Sequence, residues 1–420
     1  MEAAARRPAS ITIILAARAL RAFGDGFVSL ILPLYLLALG GSPLEVGVVS
    51  TATLFGSAML SLLAGSYARR IGYRRALVAA SLLMAATGFA FASVHDFWPL
   101  LVVAFVGTLN PSSGDASIFM PLEHATLSDG VAADARTATF ARYSLVGAIG
   151  GAAGAAFSGV PKLTGTLLGM TTVQVLQMLF VLYGVLGLVA CALYRRLPVA
   201  RDADDADVDH PPLTESRAVV LRLAALFSID AFAGGLIVQS LLSLWLAQRY
   251  GFDAAQLGVL FALSGLLAAA SYLAAAPLSR RIGLVNTMVF THVPSSVMLM
   301  MLPFVADARV AIALLLARSA LSQMDVPTRS SYVMAIVTPP ERAAAASVTA
   351  VPRSLAAAGS PLLAGLLLQA SGFGWPLVIA GGLKIAYDLT LLALFRHVRP
   401  PEEAARSSPP RARRRASARS

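Results

Sequence analysis

Twelve times along this chain, apolar residues run on long enough to cross the roughly 30 Å of a bilayer's hydrocarbon as a helix. The runs lie at about 11–40, 44–66, 75–95, 98–126, 136–160, 169–194, 219–248, 254–279, 285–305, 308–337, 342–370 and 374–396. A chain in lipid must satisfy its own N–H and C=O groups, and continuous apolar runs do so as helices, whereas barrel strands alternate. Composition agrees: 57% of the 420 residues are hydrophobic and 13% charged, against about 25% charged in a soluble globular chain. The expected class is an all-α membrane protein with twelve transmembrane helices. The first run carries Arg18, Arg21 and Asp25 and is too long for a cleaved signal peptide, so it is read as a retained span. Cys191 is the only cysteine, which excludes an internal disulfide and any CxxC metal or redox site.

Positive charge sets the expected orientation, since basic residues in short loops stay on the cytoplasmic side. With both termini inside, the inner segments hold 23 of the 33 Lys and Arg residues and the outer loops only Lys162, Arg249 and Arg309. The remaining seven, Arg18, Arg21, Arg142, Arg318, Arg329, Arg353 and Lys384, fall inside the runs. The expected location is therefore the inner or plasma membrane, multi-pass, with both termini cytoplasmic. Net charge +11 and the tail RARRRASARS are read as a disordered basic tail near anionic lipid, with no nucleic-acid partner.

The four residues RRIG occur twice, at Arg69 to Gly72 and at Arg280 to Gly283, 211 positions apart and in the same inner loop of each six-run half. Gly47 with Gly258, and Arg142 with Arg353, keep the same spacing; Asp115 and Asp325 are 210 apart. The polar, acidic stretch between the halves cannot span a membrane. These repeats predict two pseudo-symmetric six-helix bundles, 1–196 and 219–398, joined by a cytoplasmic linker over 197–218 and followed by the tail over 399–420.

Twelve spans in a six-plus-six repeat with this loop resemble the major facilitator superfamily. The family's loop signature is matched at Gly65, Arg70, Gly72, Arg74 and Arg75, while position 69 is Arg where the family carries Asp. The resemblance covers about 11–398 and implies alternating access around a central site, small-molecule cargo, no cofactor, no metal and a functional monomer. Gly72 and Gly283 suit sharp turns. Arg69, Arg70, Arg74, Arg75, Arg280 and Arg281 either pin the loops at cytoplasmic headgroups or bridge to the other half when an inner gate is shut.

Charges inside spans mark a cavity or a pathway, because each costs several kcal/mol or more unless paired or wet. Arg18, Arg21 and Asp25 are spaced three and four apart and share a face. Asp25 leads as a proton carrier, with partnership to Arg21 as the alternative; Asp230 is next, and Glu123 also lies inside a span. Asp115 with Arg142, and Asp325 with Arg353, are expected as symmetry-related gating pairs, with Arg329 beside the second. Lys384 and Asp388 are expected to satisfy each other at i, i+4. Helix five carries Gly147, Gly150, Gly151, Gly154 and Gly159, which serve close helix packing or resemble the glycine-rich fifth helix of drug–proton antiporters, a branch whose proline is missing here. Pro327 and Pro352 are expected to kink helices ten and eleven, and TPPER before helix eleven reads as a start signal with Thr338 as cap and Glu341 reaching back.

No GxxxxGK[ST] loop is present and the five histidines have no metal spacing, which argues against an ATP-driven pump or an enzyme. The expected function is a secondary active transporter, exporting a small organic or amphipathic compound in exchange for protons. The alternatives are proton-coupled uptake of an organic anion or metabolite, suggested by seven basic against six acidic intramembrane groups, and a non-transporting membrane sensor or scaffold.

Overall fold

Fifteen helices follow one another in the computed structural model, which describes residues 2–112, 117–130, 133–160, 165, 169–198, 214, 216–338 and 341–396. The side chains of 2–9, 64–70, 128–138, 330, 334, 342–344 and 347 lie outside that description. The helices are α1 (Glu2–Ala38), α2 (Pro43–Ile71), α3 (Tyr73–Ser93), α4 (Phe97–Val106), α5 (Phe119–Gly130), α6 (Ala133–Phe157), α7 (Thr172–Arg195), α8 (Arg217–Gly235), α9 (Gln239–Tyr250), α10 (Ala254–Ile282), α11 (Leu284–Met301), α12 (Ala308–Leu321), α13 (Asp325–Ile336), α14 (Arg342–Ala370) and α15 (Trp375–Phe395). Among the described residues there is no strand. Among the described residues, ten segments are long and apolar enough to cross a membrane. The chain is an all-α membrane protein of two six-helix bundles.

The repeated loop is the same turn built twice. Gly72 alone separates α2 from α3, and Gly283 alone separates α10 from α11, with φ of 87° and 90°. A side chain is strained at that φ, so glycine is required for a helix to reverse within one residue. Arg75, Arg280 and Arg281 are exposed beside these turns and Arg74 is half-buried. The side chains of Arg69 and Arg70, the surroundings of Gly65, and the residues Asp115, 199–213 and 399–420 lie outside the described residues.

Runs four, seven and ten are each broken into two helices: α4 and α5, α8 and α9, α12 and α13. The first break follows from Asn110-Pro111. Proline offers no N–H, and the residue before it is driven out of the helical region; the Asn110 carboxamide oxygen then accepts from the Ser112 N–H at 3.1 Å and its hydroxyl at 2.8 Å. The second break follows the pair Gly234-Gly235 at the end of α8. At the third, Pro327 sits in the first turn of α13, where its missing N–H would have been unpaired anyway. It opens a helix, where a mid-helix kink was expected. Pro352 stays inside α14.

Contacts between the two bundles gather at the end of the molecule opposite the RRIG turns. α2 packs on α14, α6 on α10, and α1 on α9. A Cβ on Gly47 would lie 2.6 Å from the Pro361 carbonyl oxygen and 2.9 Å from Gly365 Cα, and one on Gly258 would lie 2.4 Å from the Ala155 carbonyl oxygen. The two glycines 211 apart thus make symmetry-related crossings. Polar bonds join the same end: Thr51 Oγ1 accepts from the Leu362 N–H at 2.8 Å, the Pro111 carbonyl accepts from the Ser240 N–H at 3.0 Å, and Ser50 and Ser240 hydroxyls meet at 3.2 Å. From Gly47 to Gly72 the helix rises about 37 Å, so the basic loops lie a full span away from this closure.

Glu341, at the start of α14, reaches across to the start of α8, where it was expected to cap its own helix. Its carboxylate accepts from the Thr214 N–H at 2.7 Å, the Thr214 hydroxyl at 2.8 Å and the Ser216 N–H at 3.0 Å. The two otherwise unpaired N–H groups preceding α8 are thereby satisfied. These bonds hold the Glu341 carboxyl at about 2, below its ordinary 4.5.

Two outcomes follow from this arrangement. Gly47→Val forces α2 and α14 apart, at an overpacking cost of about 1–3 kcal/mol. In a Cys191→Ser background, maleimide labelling of Ser50→Cys should rise about tenfold or more, and unchanged labelling would contradict the closure. Because the folded-state value of Glu341 is depressed, its contribution to stability is complete above about pH 4.5 and is lost as pH falls toward 2. The thermal-midpoint gap between the wild type and Glu341→Gln in detergent should narrow over that window.

Candidate functional site

Each bundle buries one charge cluster beside a helix break. In the first, α1 presents Arg18, Arg21 and Asp25 on one face, 7%, 1% and 7% exposed, as their spacing predicts. Arg21 forms an ion pair with Glu123, the fifth residue of α5. Glu123 also accepts from the Tyr143 hydroxyl and from the Tyr194 hydroxyl, each at 2.5 Å, and Arg21 Nε donates to Tyr194 at 3.1 Å. The guanidinium lies 4.0 Å above the centre of the Phe119 ring, and Arg18 lies 4.9 Å above that of Tyr143. Four helices, α1, α5, α6 and α7, are tied through one carboxylate that would be intolerable unpaired in lipid.

Asp25 stands apart from that pair. Tyr183 and Asn110 lie within hydrogen-bonding reach of its carboxylate, and the Tyr183 hydroxyl also donates to the Thr108 carbonyl at 3.0 Å in the α4–α5 break. The ion-pair partner of Arg21 is Glu123, and Asp25 forms no ion pair among the described residues, though the charges of Arg21 and Arg18 act on it.

The second cluster inverts the polarity. Asp230 on α8 accepts from Arg329 at 2.8 Å through one oxygen and from Lys384 at 2.7 Å through the other. Arg329, the fifth residue of α13, also pairs with Asp325. Lys384 therefore turns to Asp230, and not to Asp388 one turn along α15 as expected. Asp388 is held by His292 on α11, whose Nδ1 lies 2.9 Å from its Oδ2. His292 Nε2 is 3.5 Å from Lys384 Nζ and 3.8 Å from Asp230 Oδ1.

The expected Asp325–Arg353 pair does not form. Asp325 is on its own helix neighbour four residues away, a geometry that needs no second helix, and Arg353 is exposed. Arg142 is exposed too, and its expected partner Asp115 lies outside the described residues. Arg353 shares a helical face with Ser360 and Ala364, seven and eleven residues on, both fully buried. It lies within electrostatic reach of Asp230, Asp325 and Arg329. Arg318, one turn before the α12–α13 break, is half-buried, with no hydrogen-bond partner for its Nε and no ion pair among the described residues. No group of three or more metal-ligating side chains exists among the described residues.

The glycines of α6 are used against α1. A Cβ on Gly154 would lie 1.9 Å from the Phe23 carbonyl oxygen, one on Gly150 2.9 Å from that of Ala19, and one on Gly147 2.6 Å from the Arg18 guanidinium. They let α6 approach α1 closely enough to bring Tyr143 to Glu123.

Sequence reading missed His292 and the tyrosines Tyr143, Tyr183 and Tyr194. A lone histidine and scattered tyrosines carry no spacing signal; only the number of buried charges demanding partners pointed to further polar groups. Glu123→Gln should cost about 3–5 kcal/mol by stranding Arg21, seen as a lower thermal midpoint in detergent, whereas Asp25→Asn, which breaks no ion pair, should cost clearly less. Equal losses would contradict this division.

A family model described as Major Facilitator Superfamily matches residues 14–322 and 223–419. Uncharacterized membrane protein YJR124C of Saccharomyces cerevisiae is 25% identical over 419 residues, covering 92% of this chain and 94% of the yeast protein. Among solved structures, the nucleoside transporter NupG superposes with a TM-score of 0.71 at 14% identity, covering 92% of this chain and 99% of that one. A bacterial homologue of the human lysosomal transporter Spinster, in an inward-facing and occupied conformation, gives 0.70 at 13% over 93% and 96%. The human organic anion transporter MFSD10 gives 0.62 at 17% over 92% and 99%. At these identities the structures speak for the fold, and the family match over nearly the whole length carries the assignment: the chain belongs to the Major Facilitator Superfamily of membrane transporters.

Proposed function

We propose that this chain is a secondary active transporter working by alternating access, that it couples cargo movement to protons, and that its cargo is a small organic anion. The observation that supports the anion is the pair Arg318 and Arg353. Asp230 and Asp325 are already engaged by Arg329 and Lys384, yet these two guanidiniums, one half-buried and one exposed, form no ion pair among the described residues. A guanidinium cannot shed its proton, so inside a span it calls for an anion from solution. The six-helix units over 1–196 and 219–398 move about the linker over 197–218, opening and closing the two ends in turn. Asp25, which forms no ion pair among the described residues, and Asp230 are the candidate proton carriers.

Export of a small organic or amphipathic compound against protons is the second reading. Its support is the open end: if the basic loops lie inside, the chamber faces the cytoplasm, the state in which an exporter loads.

The test is counterflow in proteoliposomes with radiolabelled mono- and dicarboxylates, nucleosides and cationic dyes. Carboxylates should exchange, and Arg318→Gln or Arg353→Gln should slow that exchange about tenfold or more. Exchange of dyes alone overturns the anion reading, and exchange of nothing supports a sensor or scaffold. Alkalinisation of the exterior on adding the exchanging carboxylate outside indicates uptake with protons; acidification indicates exchange against them.

A further inference from the structure

The second cluster does not balance by its permanent charges. Asp230, Asp325 and Asp388 bring three carboxylates, and Arg329 and Lys384 bring two cations that meet them directly. Arg353 is exposed, and Arg318 makes no ion pair among the described residues. Asp230 and Asp325 are neutralised by contact with Lys384 and Arg329. The uncompensated carboxylate is Asp388, whose side chain is 0% exposed and whose one partner among the described residues is His292.

The atoms around His292 define its proton. Lys384 has donors only, so at 3.5 Å His292 Nε2 faces it as an acceptor and Nδ1–H donates to Asp388. In that form Asp388 Oδ1 is buried with no hydrogen-bond partner. An ionised carboxylate with one empty oxygen and no cation in contact is the least favourable group in the cluster. One added proton removes the imbalance, whether on Asp388 Oδ1 or on His292 Nε2. In the second case the new N–H turns toward Asp230 Oδ1, 3.8 Å away, and competes with Lys384 for it. Tyr387, packed edge-on 6.2 Å from His292, has a buried hydroxyl without a partner beside the pair.

We propose that His292 and Asp388 together hold one exchangeable proton, and that this pair is the proton seat of the second bundle. Asp230, saturated by two cations, serves as the switch contact that Lys384 and His292 share. The proposal rests on the transporter reading for its role in coupling, while the binding of the proton stands on the geometry alone. Coordination of a metal ion by the same groups is disfavoured because Lys384 occupies the approach to Nε2.

The full-length protein in lipid nanodiscs, labelled with 15N-histidine, tests this without cargo. The chain has five histidines, and His292→Gln identifies one signal. That signal should pass from one state to the other in a single step as pH is varied over the range in which the protein stays folded, and Asp388→Asn should shift that step by about tenfold in proton concentration or more. Asp388→Glu should restore a single step, which separates charge from packing; unchanged remaining histidine signals show that each variant is folded. An imidazole fixed in one state across that range, or a midpoint indifferent to Asp388→Asn, overturns the proposal. Where a carboxylate exchanges in counterflow, His292→Gln should lower its accumulation under a proton gradient more than its counterflow, and equal losses would reject the coupling role. Failure of every carboxylate to exchange would sink the anion reading and leave the titration to judge the proton seat.

Discussion

A buried charge in hydrocarbon must find its opposite, and the architecture is arranged around two places where it does. In the first bundle an arginine of the first span meets a glutamate of the fourth; in the second, an aspartate of the seventh span meets an arginine of the tenth. The partner on the broken helix is in each case the fifth residue after the break. Two copies of one scaffold thus keep one geometry with the charges exchanged. Since the helices joined this way are those interrupted near the middle of the span, or lie beside them, the pairs hold the half-helices in place where continuous backbone bonding is lost.

Closure of one end rests on a different kind of contact. Gly47, Gly258 and Gly365 bring backbone against backbone between bundles, and the accompanying bonds are weak neutral ones from Ser50, Thr51 and Ser240. Among the described residues no ion pair crosses between the bundles. Close packing is lost steeply with separation, and neutral hydroxyl pairs are easily replaced by water, so separating this end would strand no charge. Among the described residues, the charged clusters stay inside each bundle.

The spans, the helical class and the paired RRIG turns were legible because apolar length and glycine carry local meaning: a Gly between two helices at φ near 90° has few alternatives. The shared face of Arg18, Arg21 and Asp25 was legible for the same reason. Partners across helices were not. Arg21 had Asp25 four residues away, yet its ion pair is with Glu123, 102 positions on; Asp325 had both Arg329 and Arg353 to choose from, and took the one on its own helix. Burial makes a partner obligatory without naming it. The break after Gly234-Gly235 had a visible signal, whereas the one at 322–324 had only Pro327 downstream, which reads equally as a kink.

On the reading proposed above, the positions of Arg353 and the His292–Asp388 pair fix the sign of coupling. Arg353 is exposed, and its field reaches Asp230 and Asp325. An anion seated there cancels that field at Asp230 and Asp325, and Asp230 lies 3.8 Å from His292 Nε2, so the group holds a proton more tightly. By linkage a proton on the pair raises anion affinity by the same factor. Cargo and proton then favour the same loaded state and cross together, whichever way the gradient runs. A cationic cargo near Arg353 would be repelled by it and would compete with the proton, giving exchange instead. The sign of coupling is therefore a property of which charge the unpaired arginine attracts, and it is set before either bundle moves.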